Sequence, residues 1–203
     1  LNLSSYAVSL GGLSVQYASS AGSTWSKTDL TNVILQPGQY YLVQEAVGAG
    51  GTTNLPTPDA TGTIAMSGTA GKVALVSNQT ILTGACPTLN VIDLIGFGAA
   101  NCSETNPTPA LTNTTADLRT SGGCTETDNN SIDFASGAPN PRNSGSAPNT
   151  TCAAAPTPTL SLLVSTNTRG EADATVITVT ASTSVAVTSD QTVNIIVNGT
   201  GIT

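Results

Sequence analysis

Histidine is absent from the 203 residues of the chain, and charged residues of either sign make up only 8% of it. The absence of histidine removes the commonest general base and the commonest zinc ligand, and it excludes a Ser-His-Asp triad within the chain. Five basic residues stand against twelve acidic ones, and the basic residues are scattered. Because nucleic-acid binding depends on clustered Lys and Arg, no nucleic-acid partner is expected.

Aromatic residues are also scarce, at 3%, so the core must be built mainly from Val, Ile, Leu and Ala. Helical periodicity is hard to find, whereas period-2 alternation and short apolar runs bounded by Gly, Pro or Asn recur along the chain. The pattern predicts an all-β fold. The predicted strands are 7–10, 13–17, 33–35, 40–45, 62–66, 72–76 and 91–96, with shorter ones near 117–119 and 133–134.

Turns and linkers divide the chain further. Pro37 and Gly38 carry the chemistry of a tight turn that leads into strand 40–45. The Ala, Pro and Thr composition of 153–159 is typical of a short extended linker. We therefore predict a first domain over 1–152, the linker over 153–159 and part of a second β-domain over 160–203, with strands at 160–164, 175–180 and 192–197.

No run of apolar residues approaches the ~20 that a membrane helix needs, so no membrane span is expected in this segment. The N-terminus lacks the features of a signal peptide, and we expect any export signal or anchor to lie outside these residues. Tripeptides that could accept N-glycans begin, among other positions, at Asn2, Asn78, Asn101, Asn113, Asn149 and Asn198. With so much Asn, Ser and Thr, several of them would arise by chance.

The four cysteines, Cys86, Cys102, Cys124 and Cys152, form no close pair and lie among Pro, Gly, Asn, Ser and Thr. Their even number and loop context predict two disulfides and hence an oxidising compartment. A zinc site made of four thiolates is the alternative, although close cysteine pairs are the usual way to build one. The residues alone leave the connectivity open.

Three acidic residues in one loop, Glu126, Asp128 and Asp133, offer closely spaced oxygen ligands of the kind that Ca²⁺ prefers. The loop lacks the glycine and terminal glutamate of an EF-hand. Asx side chains also cap turns by accepting hydrogen bonds from nearby main-chain N–H groups, which needs no metal. Calcium binding and turn capping are therefore both open for this loop.

Trp25, Tyr40 and Tyr41 could form a platform for sugar rings, or Trp25 and one of the two tyrosines could fill the core. We favour the core. Arg119 and Arg142 are expected to anchor loops through carboxylates or carbonyls. The chain has neither a GxSxG motif nor a phosphate-binding loop, so we do not expect an enzyme.

Several spaced segments of the first domain resemble the bacterial lamin-tail domain, in the matching order. They include the motif Leu35-Gln36-Pro37-Gly38-Gln39-Tyr40-Tyr41-Leu42-Val43-Gln44-Glu45 and the segments 13–19, 71–76, 91–98, 119–130, 133–134 and 139–144. The resemblance implies an immunoglobulin-like β-sandwich, found in secreted and surface proteins, that lacks its first strands here. It also implies that Cys124 pairs with Cys152, which leaves Cys86 for Cys102; pairing of Cys102 with Cys124 is the alternative.

The segments 170–179 and 191–195 resemble the opening of a Calx-β repeat, another immunoglobulin-like module of extracellular proteins. Only Glu171 maps onto the acidic residues that bind calcium in that family. The remaining ligands come from the later part of the repeat, which this chain lacks.

These observations together predict a non-enzymatic adhesive, structural or assembly module of a larger secreted or surface protein. Its expected partners are other protein chains or surface glycans. An unpaired sheet edge readily accepts a further strand, which suggests a homo-oligomer or a filament built by strand donation. The alternatives are an accessory, non-catalytic domain of a secreted nuclease or phosphatase, and a carbohydrate-binding module.

Overall fold

A computed structural model describes residues 1–48, 50–51, 53–152, 160–165 and 178–183. The chain divides into two units, Leu1–Ala154 and Ala155–Thr203. The predicted linker at 153–159 and Glu171 both lie outside the described residues. In the described part of the chain, no helix has the length and apolar character needed to cross a membrane.

The first unit is built from short strands and two one-turn helices. In chain order, its elements are β1 (Val8–Ser9), β2 (Ser14–Ser19), β3 (Ser26–Asp29), β4 (Ile34–Leu35), β5 (Val43–Gln44), β6 (Ala60–Thr61), β7 (Gly71–Val76), β8 (Val91–Phe97), β9 (Ala116–Arg119), α1 (Thr120–Gly123), α2 (Asn130–Asp133) and β10 (Phe134–Gly137). The predicted all-β class is confirmed.

A four-stranded antiparallel sheet with the order β3-β2-β7-β8 forms the centre of this unit. Three smaller pairs accompany it: β1 with β4 and β9 with β10, both antiparallel, and β5 with β6, which is parallel. The three longest strands of this unit, β2, β7 and β8, all lie at positions where the sequence predicts strands.

One face of the central sheet lies beneath residues 77–90. Its apolar part comprises Ala18, Trp25, Ala74, Val76, Leu82, Leu94 and Cys102. Two buried polar residues of β2 fix the covering segment, because Gln16 bonds the Thr80 carbonyl at 2.8 Å and the Leu82 N–H at 2.9 Å. Ser14 donates to the Asn78 carbonyl at 2.7 Å. Side-chain hydrogen bonds thus hold this covering layer, together with a single main-chain bridge between Thr24 and Thr83.

The opposite face carries two further apolar clusters. The first contains Leu10, Leu30 and Leu35, with Val15 and Leu75 of the sheet packed against them. The second contains Tyr17, Ile64 and Phe97, with Val73 and Leu111 beside them. The central sheet is therefore covered on both faces.

Several predicted strands are shorter than expected or absent. Strand 7–10 forms only at Val8–Ser9. Strand 40–45 forms only at Val43–Gln44, because the Leu42 N–H donates to the Asp59 carboxylate at 2.7 Å rather than to a neighbouring strand. No strand forms at 62–66, where the Ile64 N–H donates to the Glu45 carboxylate at 3.0 Å. The predicted turn at Pro37 and Gly38 is confirmed, since Gly38 has a φ of 72° and the Gln39 N–H bonds the Gln36 carbonyl at 3.0 Å.

The second unit is described only at 160–165 and 178–183. There, β11 (Leu160–Val164) pairs antiparallel with β12 (Val179–Thr183). The first of these was predicted at the same bounds, and the second overlaps the predicted strand 175–180. The strand predicted at 192–197 lies outside the described residues.

Candidate functional site

Three carboxylates meet beside β8. Asp93 lies on that strand, and Glu104 and Glu126 come from the segments that follow it; the ligand oxygens of the three lie within 4.8 Å of one another. No other group of three potential metal-ligating residues occurs in the described ranges. We therefore treat this acidic cluster, Asp93, Glu104 and Glu126, as the candidate site.

Arg119 enters the acidic cluster from the end of β9. Its Nη2 donates to Asp93 Oδ2 at 2.8 Å, and its Nη1 donates to Glu126 and, at 2.9 Å, to the Thr125 carbonyl. The guanidinium also lies over the Phe134 ring, 4.4 Å from its centroid, and only 14% of the side chain is exposed. A single fixed cation thus bonds two of the three carboxylates, which confirms the predicted anchoring role of Arg119.

Glu104 carries the clearest electrostatic effect in the cluster. Burial raises its pKa above the ordinary value, and the charges of Asp93 and Glu126 add to that rise. Hydrogen bonds from the Leu94 N–H, at 3.1 Å, and from the Asn130 amide, at 2.8 Å, oppose it. The Asp93 oxygen that does not face Arg119 is buried and lacks a hydrogen-bond partner among the described residues. The cluster therefore retains more negative charge than Arg119 compensates.

The predicted calcium residues are not brought into one group. Asp133 is fully buried and accepts hydrogen bonds from the Thr127 N–H at 3.0 Å, the Thr127 hydroxyl at 2.7 Å and the Asn129 N–H at 3.2 Å. Burial would raise its pKa, but these hydrogen bonds outweigh burial and lower the pKa. Asp128 is exposed, and Glu126 faces Arg119. Asp133 thus acts as a turn cap, and calcium binding stays a prediction.

Sequence reasoning missed two members of the acidic cluster, Asp93 and Glu104. Asp93 offered a signal, because it is the one charged residue in the apolar run 91–97. Glu104 offered none, since its role depends on Asn130 and Leu94, which the fold brings to it.

Two disulfides are present, as predicted, and indicate an oxidising environment. They join Cys86 to Cys102 and Cys124 to Cys152, with Cα–Cα distances of 5.3 and 5.2 Å. This is the pairing that the lamin-tail resemblance implies. Neither the zinc alternative nor the pairing of Cys102 with Cys124 occurs.

Lys72 is a fully buried ammonium group that the sequence analysis did not single out. Its Nζ donates to the Gly22 carbonyl at 2.6 Å, and to the Ala85 carbonyl and Asn101 Oδ1 at 2.8 Å each. It also lies 5.6 Å from the centroid of the Trp25 ring. Burial lowers its pKa. The three N–H groups of the ammonium thus donate to three oxygens, and the side chain connects three loops to β7.

Trp25 and Tyr40 occupy the core rather than a sugar-binding platform. Trp25 is 3% exposed and donates to the Gly84 carbonyl at 2.9 Å. Tyr40 is 7% exposed, and the Arg142 guanidinium stacks 4.1 Å from its ring centroid. Tyr41 is half-buried, and its hydroxyl accepts from the Thr31 N–H at 3.1 Å. The predicted placement of Trp25 and one tyrosine in the core is confirmed.

Comparisons with known proteins identify no relative. A scan against models of protein families, a search of curated proteins and a search of solved structures each returned no match. The lamin-tail and Calx-β resemblances therefore stay predictions.

Proposed function

We propose that this chain is a non-catalytic extracellular module of a larger secreted or surface protein, with an adhesive or structural role. The observation that carries the proposal is that the buried polar side chains of the chain bond the main chain of loops and strand edges. Gln16, Lys72, Asn130 and Asp133 are each fully buried, and each bonds main-chain groups of a loop or edge. Such groups serve to hold a scaffold and its surface loops in place.

The charge distribution supports the same proposal. Arg119 is held in fixed contacts with Asp93 and Glu126, so the one cation of the acidic cluster is engaged within the fold. The two disulfides fit a module that works in an oxidising environment, where thiols do not stay reduced. Other surface proteins or glycans are the partners that we propose.

The finer description of the fold is part of the proposal. We infer that the first unit is an immunoglobulin-like sandwich similar to the lamin-tail domain, and that the second unit begins a Calx-β-like one. The covering of both faces of the central sheet supports the first inference. The antiparallel pairing of β11 with β12 supports the second.

Location and redox state test the proposal together. Antibodies against the chain should label intact cells that express the gene, or detect the protein in the medium, without permeabilisation. A thiol reagent should find no reactive cysteine in the purified protein until a reductant is added. Labelling only after permeabilisation, or four reactive thiols in the native protein, would contradict the proposal.

A glycan array with the full chain then separates the two classes of partner. Binding that disappears when the chain is reduced and alkylated would identify a glycan as the partner. Absence of binding would direct the search to protein partners. Hydrolysis of nucleic acid or phosphate esters by the purified chain itself would overturn the non-catalytic role.

A further inference from the structure

The two edges of the central sheet are chemically different. At the β8 edge, Asn130 accepts from the Gly96 N–H at 2.9 Å and donates to the Leu94 carbonyl at 2.9 Å. Glu104 accepts from the Leu94 N–H at 3.1 Å, and the Thr108 N–H donates to the Gly96 carbonyl at 2.8 Å. At Leu94 and Gly96, the main-chain groups that a further strand would need are therefore already bonded, and this part of the edge is closed.

The opposite edge is β3, and its open groups follow from the register. The Leu30 N–H donates to the Leu13 carbonyl at 3.0 Å, which makes these two residues a hydrogen-bonded pair with β2. Because such pairs alternate along an antiparallel ladder, Thr28 also directs its main-chain groups to β2. The main-chain groups of Lys27 and Asp29 must then point away from the sheet. Within the described ranges, no other segment gives either residue a main-chain hydrogen bond.

The side chains on this edge are self-complementary. Lys27 and Asp29 stand on the same face of β3, two residues apart, and form an ion pair with each other. If a second β3 ran antiparallel with Thr28 at the two-fold axis, Lys27 would lie opposite Asp29 of the partner subunit. Its own Asp29 would lie opposite the partner's Lys27. In the same register, the main-chain groups of Lys27 form a hydrogen-bonded pair with those of the partner's Asp29, and those of Asp29 pair with those of the partner's Lys27. One register therefore satisfies both the main-chain hydrogen bonds and the side-chain ion pairs.

We propose that β3 pairs with β3 of a second copy of this chain to form a two-fold symmetric dimer. Four main-chain hydrogen bonds and two cross-subunit ion pairs would form, and the two four-stranded sheets would become one sheet of eight strands. An isologous contact closes after two subunits. Because the β8 edge is already bonded, this contact gives a dimer and does not extend into a filament. The inference stands apart from the proposed adhesive or structural role.

The short length of β3 limits how strongly two subunits should associate. A contact of four residues a side is far below the area of a standard stable interface, so the dimer should be weak and concentration-dependent. Lysine on an edge strand can also serve to prevent pairing. That outcome is distinguishable, because it predicts a monomer at every concentration.

Reversing the charges of Lys27 and Asp29 singly, and then both together, tests the proposed register. Sedimentation velocity of the full chain, from about 10 μM to about 1 mM, should show a reversible monomer–dimer equilibrium. Lys27→Asp and Asp29→Lys each place like charges opposite one another and should each lower the association constant about tenfold. The double variant Lys27→Asp/Asp29→Lys exchanges the charges and should return the constant to the parent value.

Two results would overturn the proposal. The first is a parent chain that stays monomeric up to about 1 mM at low ionic strength. The second is a dimer whose association constant is unchanged in both single variants. Circular dichroism and urea unfolding of each variant check that the fold is kept, and the recovery in the double variant excludes misfolding as the cause of a loss.

Discussion

At the scale of single residues, Lys72 is unusual because its ammonium group is buried beside neutral oxygens and an aromatic ring. Burial disfavours the charged form, so the side chain has an electrostatic cost that its hydrogen bonds offset. The partners of Lys72 are mainly main-chain carbonyls of loops. Its contribution is therefore to fix loops that no strand pairing holds.

Replacing Lys72 with Met tests this role. The variant keeps an unbranched apolar stem but leaves the carbonyls of Gly22 and Ala85 without their donor. We expect the free energy of unfolding to fall by about 1–3 kcal/mol, measured by urea denaturation. Lys27→Met, at a half-exposed surface ion pair, should change it by less than about 0.5 kcal/mol. Equal effects in the two variants would refute the assigned role.

The pH dependence of stability gives a second measure of the same residue. Because the pKa of Lys72 is lower in the folded chain, the unfolded chain holds the proton over the interval between the two pKa values. The free energy of unfolding should therefore rise with pH as the model-peptide value of 10.5 is approached from below. This rise should be smaller in Lys72→Met than in the parent chain.

At the scale of elements, the sequence predicted some strands well and others poorly. Apolar residues in short runs or in alternation marked β2, β7 and β8 to within about two residues, because these strands lie in the buried centre of the unit. No pattern in the sequence indicated β3, whose residues Ser-Lys-Thr-Asp are polar on both faces, because this strand depends on pairing with β2. The errors at 40–45 and 62–66 have one cause. Carboxylates distant in sequence, Asp59 and Glu45, take main-chain donors that a strand would otherwise use.

The candidate site shows the same limit. The turn 126–133 was recognisable from its Asx residues, and the capping alternative describes Asp133 correctly. The acidic cluster was not predictable, because Arg119 joins Asp93 to Glu126 only after β9 has paired with β10. Contacts between residues that are distant along the chain leave little trace in a single sequence.

Closure of the β8 edge by Asn130 leads to a further prediction. Asn130→Ala removes the partner of the Gly96 N–H and of the Leu94 carbonyl, both of them buried main-chain groups. We expect the free energy of unfolding to fall by about 2–3 kcal/mol in urea denaturation. We also expect light scattering to detect concentration-dependent aggregation, because the edge can then accept a strand.

Ser131→Ala is the matched control for Asn130→Ala. Ser131 lies on the same turn, and among the described residues its hydroxyl donates only to the half-buried Asn129 side chain. A change below about 0.5 kcal/mol and no aggregation are expected. If Asn130→Ala is as stable and as soluble as this control, the edge is not closed by Asn130.

At the scale of the whole molecule, the first unit combines a small number of well-formed strands with much irregular chain. Four of its strands have only two residues, and the covering segment 77–90 pairs with the sheet mainly through side chains. Such a unit needs covalent support, because irregular chain has little pairing energy to offset its conformational entropy. The two disulfides provide that support, with sequence separations of 16 and 28 residues.

The Cys86–Cys102 disulfide and Lys72 hold the same two loops. Ala85 and Asn101, two of the three partners of Lys72, directly precede Cys86 and Cys102 in the sequence. If Lys72 reaches its partners only while the bridge holds the two loops together, the two contributions should not add. Groups that share partners typically show coupling energies of about 0.5–3 kcal/mol.

A double-mutant cycle measures this coupling. Replacing both Cys86 and Cys102 with Ala should lower the free energy of unfolding by about 3 kcal/mol, since the bridge restricts the unfolded chain. If the loops separate once the bridge is gone, Lys72→Met should cost clearly less in that background than in the parent chain, because the oxygens of Ala85 and Asn101 can then bond water. The control cycle pairs Lys72→Met with Ala at Cys124 and Cys152, which do not adjoin any partner of Lys72, and should be additive within about 0.5 kcal/mol. Additivity in both cycles would mean that the disulfide and the buried lysine stabilise the fold independently.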